Sequence, residues 1–230
     1  QTWLMFMDDA GIARRNATAL RAAGHDVIEV RPGDTFARLS DTSYILAPER
    51  GREGYDLLLQ DMGARGLVPT RVAHYWLVTQ DDSHRPGSSF FHRVQEQGFY
   101  TLMFLAQALD GEGVPQPLHI SVFTNGAEKL RDEALPHPSK ATIAGPARVI
   151  PRELPDVTVA TCDLQLPDLP EIGFWSRTKA LANHELAMDT LATRALEELL
   201  SEPGNHIAAL RADRRFECVM KPVTLPEAEA

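Results

Sequence analysis

The sequence predicts an α/β fold built on an open, mostly parallel sheet with helices on both faces and a β-hairpin at the C-terminus. Three observations lead there. Short apolar, β-branched runs recur along the chain, too short for buried helices and suited to strands covered on both faces. Segments with apolar residues at helical spacing alternate with them, the pattern of a parallel sheet with crossover helices. The stretch from Trp3 to Val30 then reads strand, tight turn, helix, strand.

In that opening unit Trp3 to Met7 is the strand and Asp8-Asp9-Ala10-Gly11 the turn. Ala13, Ala17 and Leu20 mark a helix, Gly24 stands where a helix end favours a left-handed residue, and Val27 to Val30 is the second strand. This is how a dinucleotide-binding, Rossmann-like fold begins. The turn nevertheless lacks what a pyrophosphate needs, which is glycines that let backbone N–H groups approach at the start of a helix. Only Gly11 remains of a possible G-x-G-x-x-G, and Asp8 and Asp9 stand in the approach. A like-charge pair at about 4 Å costs roughly 4 kcal/mol at a surface-like dielectric, on the order of a thousandfold in affinity. The alternative reading of the aspartates is a helix N-cap. Both readings count against a nucleotide at this turn.

Further along, Pro32-Gly33 makes a turn, and Thr35 to Tyr44 reads as a poorly patterned connection. Arg31 stands where an arginine could meet a 2′-phosphate, or simply at a solvated strand end. Tyr55, Leu58, Leu59 and Met62 mark a helix stopped by Gly63 or Gly66, and Val72 to Val78 is the next strand. Thr79 to Ser89 is a polar loop at its C-terminal edge, where Asp81, Asp82 and His84 raise a metal site only weakly, with no second histidine patterned nearby. Phe90 to Leu109 is a long helix with Val94, Gly98, Leu102, Leu105 and Leu109 on one face, Gly98 permitting close packing. Its other aromatics (Phe90, Phe91, Phe99, Tyr100, Phe104) suit core or subunit interface better than a ligand box.

Leu118 to Phe123 is a strand ending in Thr124-Asn125-Gly126, and residues 127–139 form a loop. Lys140 to Ile150 reads as helix with a Gly-Pro interruption, and Val157 to Cys162 as strand. The longest helical pattern lies in Gly173 to Leu200, with Leu181, Met188, Leu191, Ala195 and Leu199 on one side. Ile207 to Leu210 and Phe216 to Met220, joined around Asp213, form the terminal hairpin. One domain over residues 1–221 and a linker over 222–230 follow, the tail PVTLPEAEA having linker composition. The opening directly in a core strand suggests a segment cut from something longer.

Composition sets the bounds. The chain has 230 residues, enough for a sizeable core, and a net charge of −9, which argues against nucleic acid and anionic membrane surfaces as partners. No apolar run approaches the ~18 residues of a membrane helix, and a cytoplasmic location is expected. Cys162 and Cys218 show no metal-ligand spacing and read as small buried hydrophobes in a reducing compartment.

Motifs for chemistry are missing. None of Tyr44, Tyr55, Tyr75 and Tyr100 has a lysine four residues on, as a reductase pair requires. The helix after the Leu118–Phe123 strand offers His137 and Lys140 but no tyrosine. His184-Glu185 is isolated and reads as solvated. There is no H-E-x-x-H, nucleophile elbow or phosphate loop. The expected catalytic, cofactor-binding and metal-binding sets are therefore all empty. The alternatives are a divergent NADPH-dependent reductase with an atypical site around Thr124, Asn125 and Lys140, or a docking module for a carrier protein or neighbouring domain, using the Phe90–Leu109 helix.

Several segments carry a resemblance to a known family. Lys140-Ala141-Thr142, Gly145-Pro146, Arg148-Val149-Ile150-Pro151 and Glu153 resemble a run in the non-catalytic, structural half of ketoreductases from modular type I polyketide synthases. The opening WLMFMDD, RPGD (Arg31 to Asp34), RVAHYWLVT (Arg71 to Thr79), FYTLMFLAQAL (Phe99 to Leu109), HISVFTNG (His119 to Gly126) and the ending LSEPGNHIAALRADRRF agree in order. The resemblance implies a truncated, short-chain-reductase-like subdomain without cofactor, NADPH and the catalytic set belonging to a second half of the same polypeptide. It further implies neighbours such as enoylreductase, dehydratase and acyl carrier protein domains.

Overall fold

The structure is a computed structural model and describes residues 1–80, 90–170 and 177–223. Among the described residues nine strands form one sheet in the order β3-β4-β2-β1-β5-β6-β7-β8-β9. They are β1 (Thr2–Phe6), β2 (Asp26–Pro32), β3 (Ala37–Ser40), β4 (Ser43–Leu46), β5 (Pro69–Leu77), β6 (Leu118–Asn125), β7 (Val157–Leu164), β8 (Ile207–Arg211) and β9 (Arg214–Glu217). From β4 to β8 every pairing is parallel, and antiparallel β3 and β9 close the two edges.

Alternation within the strands builds two cores. In β1, Leu4 and Phe6 face the layer of α2 (Glu53–Ala64), α4 (Thr101–Gly111) and α5 (Ala144–Glu153). Trp3 and Met5 face the layer of α1 (Ile12–Ala22) and α6 (Arg177–Leu200). Side chains of the central strands are thus covered whichever way they point, which is why those runs carry so few polar residues.

The long helix predicted from Phe90 is continuous but not uniform. It begins as α3 (Phe90–Val94), widens into a π-helical turn over Gln95–Tyr100, and continues as α4. Its predicted stripe is buried, with Gly98 set against Leu77 so closely that an added Cβ would meet Leu77 Cδ1 at 2.8 Å. In the widened turn Thr101 Oγ1 donates to the Glu96 carbonyl at 2.7 Å, and Tyr55 donates to Thr101 Oγ1 at 2.8 Å. Of its aromatics, Phe91 and Tyr100 stand exposed.

Several expectations change. The connection from Thr35 to Tyr44 holds β3 and the start of β4, an edge hairpin whose short, polar strands show no clean alternation. Tyr44 anchors it, fully buried with its hydroxyl donating to Asp61. Lys140 to Ile150 is not one interrupted helix: Pro138–Ile143 is a 3-10 turn, and Gly145-Pro146 lies in the first turn of α5, where a proline costs no hydrogen bond. Leu181 is 40 % exposed rather than part of the α6 stripe, whereas Met188, Leu191, Ala195 and Leu199 are buried. Cys162 is buried, but Cys218 is exposed, one residue past β9; both are free thiols. The second hairpin strand ends at Glu217, so Met220 lies beyond it. Gly24 is left-handed, with φ +82°, as its position after α1 requires.

Candidate functional site

Strand order reverses at β1, with β2 on one side and β5 on the other. In open parallel sheets this switch point opens a crevice beyond the C-terminal strand ends, where ligands bind. The groups placed there are Asp8 after β1, Thr79 after β5, Asn125 at the end of β6, and Lys140 from the Pro138–Ile143 turn.

Asp8 is turned onto the start of α1. Its Oδ2 accepts the Ile12 N–H at 3.1 Å and its Oδ1 the Ala13 N–H at 2.8 Å, and only 6 % of the residue is exposed. Burial pushes its carboxyl pKa above the ordinary range, the backbone amides opposing that shift only in part. Capping is therefore performed by Asp8, while Gly11, left-handed at φ +90°, occupies the cap position itself and Asp9 stays exposed. These residues do not fit a pyrophosphate, because the two amides it would use already hold a carboxylate. Arg31 offers no compensating cation: its guanidinium pairs with Glu29 at 3.2 Å on the exposed side of β2.

Asn125, Lys140 and Thr79 form one buried knot. Lys140, fully buried, donates from Nζ to Thr79 Oγ1 at 2.7 Å, Asn125 Oδ1 at 2.8 Å and the Asn125 carbonyl at 3.3 Å. The Asn125 side chain also spans to the Thr79 backbone, accepting its N–H at 2.9 Å and donating to its carbonyl at 3.0 Å. The ammonium thus braces the ends of β5 and β6. Gln95, in the π-helical turn, holds the lysine-bearing segment from the other side through the Ser139 carbonyl at 3.3 Å and Thr142 Oγ1 at 2.9 Å.

Thr124 does not join this knot. Its hydroxyl donates to Asp163 Oδ1 at 2.6 Å, on the opposite face of β6. Asp163 also accepts the Ala127 N–H at 2.9 Å and an Arg211 Nη2–H at 2.9 Å, and Arg211 reaches on to Glu133 at 2.9 Å and the Glu128 carbonyl at 3.1 Å. The loop after β6 is thereby tied to β7 and β8. Asp163, Arg211, Thr79 and Gln95 were not singled out by motif reasoning; the only sequence signal was an aspartate closing the β-branched β7 run. His137 packs against Gly126 and Phe90. His184 is half-buried rather than solvated, with Nδ1 3.1 Å from the Asp168 carbonyl, and its neighbour Glu185 pairs with Arg15. Asp81, Asp82 and His84 lie outside the described residues; among the described residues no group of three or more metal-ligating side chains converges.

A doubly covered parallel sheet with this order and a switch point at β1 is a Rossmann-like fold. The chain belongs to the family described as beta-ketoacyl synthase-like, N-terminal, whose sequence model matches residues 4–172. Comparison with curated protein sequences finds no match. Among solved structures, the chain is similar to the adenylation, ketoreductase and pseudo Asub multidomain structure of a keto acid-selecting NRPS module, with 22 % identity and TM-score 0.70 over 93 % of this chain and 16 % of that one. It is similar to an N-terminal ketoreductase from the macrolactin assembly line, with 13 % identity and TM-score 0.64, over 98 % of this chain and 42 % of that one. A short-chain dehydrogenase from Streptomyces avermitilis shares 16 % identity with TM-score 0.59, over 93 % of this chain and 88 % of that one. At these identities the likeness is one of fold. The chain spans 16 % and 42 % of the length of the NRPS module and the macrolactin ketoreductase, respectively. No helix among the described residues is long and apolar enough to cross a membrane.

Proposed function

We propose that this chain is the non-catalytic scaffold half of a polyketide synthase ketoreductase. In this reading it stabilises and positions a catalytic half that binds NADPH and reduces a carrier-bound β-ketoacyl intermediate. One observation carries the reading: the polar groups at the switch-point crevice are bonded to one another, Asp8 to the start of α1 and Lys140 to Thr79 and Asn125. A lysine that lends its charge to a reacting group must be able to reach it, and this one is fully buried. Family membership and the likeness to ketoreductase regions favour the same reading.

A scaffold acts by burying surface against its partner, and anything that binds only the native form of that partner stabilises it. We assign much of the seam to the C-terminal hairpin. β9 is a sheet edge with Phe216 half-buried, and the chain beyond it exposes Val219, Met220 (96 %) and Val223. The test is to produce the chain together with the ketoreductase half of its own polypeptide. Wild-type chain is expected to co-purify with that half and raise its melting temperature; the Phe216→Glu, Met220→Glu double variant is expected to lose both effects. Unchanged assembly would overturn the seam. Calorimetric uptake of NADPH by the isolated chain in the micromolar range would overturn the scaffold reading itself.

A further inference from the structure

The misfit between the first turn of α1 and a pyrophosphate has an identifiable agent. We infer that Asp8 is the residue that excludes dinucleotides from this chain, by acting as an internal anion in the phosphate position of the fold. The inference rests on the scaffold reading and names the side chain responsible for one part of it.

The geometry is that of a bound oxyanion. Two oxygens of one group take the first two N–H groups of α1, at 3.1 and 2.8 Å, where a helix start attracts negative charge. The carboxylate arrives from the C-terminal end of β1, the side from which a pyrophosphate would lie across the turn. Burial of Asp8 leaves no room for a second anion on the same amides. Gly11 supplies the left-handed turn at φ +90°, so a backbone able to approach a phosphate is retained while its donors are taken.

The surrounding charges are of both signs. Two guanidiniums lie beside Gly11: Arg15, which donates to the Gly11 carbonyl at 3.1 Å and is paired with Glu185 and with Asp189 of α6, the latter at 2.6 Å, and the exposed Arg14, whose Nη2 stands 3.7 Å from a Cβ built on Gly11. Asp9 lies beside Asp8 in the turn. An incoming pyrophosphate would meet Asp8 directly on the amides, Asp9 nearby, a cation already shared by two carboxylates, and Arg14 at the edge of the turn, which cannot free the amides that Asp8 holds. Loss of glycines alone would weaken binding; a carboxylate in the phosphate position opposes it.

The test titrates inorganic pyrophosphate, and separately NADPH, into wild type, Asp8→Asn and Asp8→Gly at low ionic strength, with folding checked by circular dichroism and thermal melting. Wild type is expected to give no heat with millimolar pyrophosphate. Either folded variant is expected to bind it about tenfold or more tightly than wild type, an effect that added salt weakens. Folded variants that take up pyrophosphate no better than wild type overturn the assignment of Asp8 and leave the scaffold reading standing. NADPH binding by wild type overturns the scaffold reading instead. Should Asp8→Gly not fold, the near-isosteric Asp8→Asn keeps an acceptor for the helix and still removes the charge. Amide exchange on the wild type gives a measurement independent of any variant: Ile12 and Ala13 are expected to keep the same protection with and without pyrophosphate, and a rise in their protection overturns the proposal.

Discussion

His74 provides a sharp test of how this core is built. It lies in the middle of β5, fully buried between the rings of Phe6 and Trp76, whose centroids are 5.5 and 5.9 Å from its own. Neither ring nitrogen makes a hydrogen bond of good geometry. Burial lowers its pKa from 6.5 to about 4, the backbone of Gln97 opposing that shift only in part. A histidine whose folded pKa lies below its unfolded value stabilises the fold least when charged. Its full contribution is present above pH 6.5 and is lost as pH falls toward 4. That fall from 6.5 to about 4 corresponds to about 3.4 kcal/mol at full protonation, and to about 2 kcal/mol between pH 7.5 and pH 5. His74→Leu removes the titration and fills the site with an apolar side chain of similar size. Urea unfolding of both proteins across that range gives the magnitude directly. The stability of His74→Leu relative to wild type should rise by about 2 kcal/mol on acidification. At pH 7.5 the variant should already be the more stable, because an imidazole without a hydrogen bond costs about 1–3 kcal/mol. Parallel pH profiles, within about 0.5 kcal/mol, would refute the reasoning.

Two further outcomes follow from buried contacts. Asp163→Ala removes a carboxylate 1 % exposed that serves Thr124, Ala127 and Arg211; the expected loss is about 3 kcal/mol, at the low end for a broken buried pair because Arg211 keeps Glu133. Denaturant unfolding measures it, and a loss under about 1 kcal/mol would show that the loop after β6 is held by something else. Gly98→Val drives a side chain into Leu77 and is expected to cost about 1–3 kcal/mol, partly restored by Leu77→Ala. A variant as stable as wild type would mean that the π-helical turn can shift away from β5.

Legibility in the sequence followed how locally each feature is determined. The central parallel strands announced themselves because both faces of each are buried, so Trp3–Met7 or Leu118–Phe123 could hardly be anything else. β3 and β4 were hidden because an edge pair of four residues each needs apolar groups on one side only, and the Tyr44–Asp61 bond that holds them spans 17 positions. The π-helical turn left no mark, since its stripe from Val94 to Leu109 fits an ordinary helix nearly as well. At the site, an aspartate capping α1 was readable from the turn alone. That Lys140 would meet Asn125 and Thr79, while Thr124 turned away to Asp163, depended on strand facing and on pairings 15 to 61 residues apart. Alternation along β6 separates Thr124 from Asn125, and that rule could have been applied beforehand.

The distribution of polar and apolar groups sets the crevice against the rest of the surface. At the strand ends, among the described residues, groups that could recognise a small molecule are engaged by backbone amides and by one another: a carboxylate on α1, an ammonium on an asparagine and a threonine. Elsewhere, large apolar side chains are left outside the core, with Phe91 and Tyr100 on the long helix and Val219 and Met220 beyond the hairpin. A protein selected to hold a polar cofactor would have the opposite arrangement, with donors free in the crevice and apolar groups withdrawn from the surface. Exposed apolar residues alone are ordinary. Under the scaffold reading proposed above, their combination with a self-satisfied crevice favours another protein surface, rather than a nucleotide, as the partner of this fold.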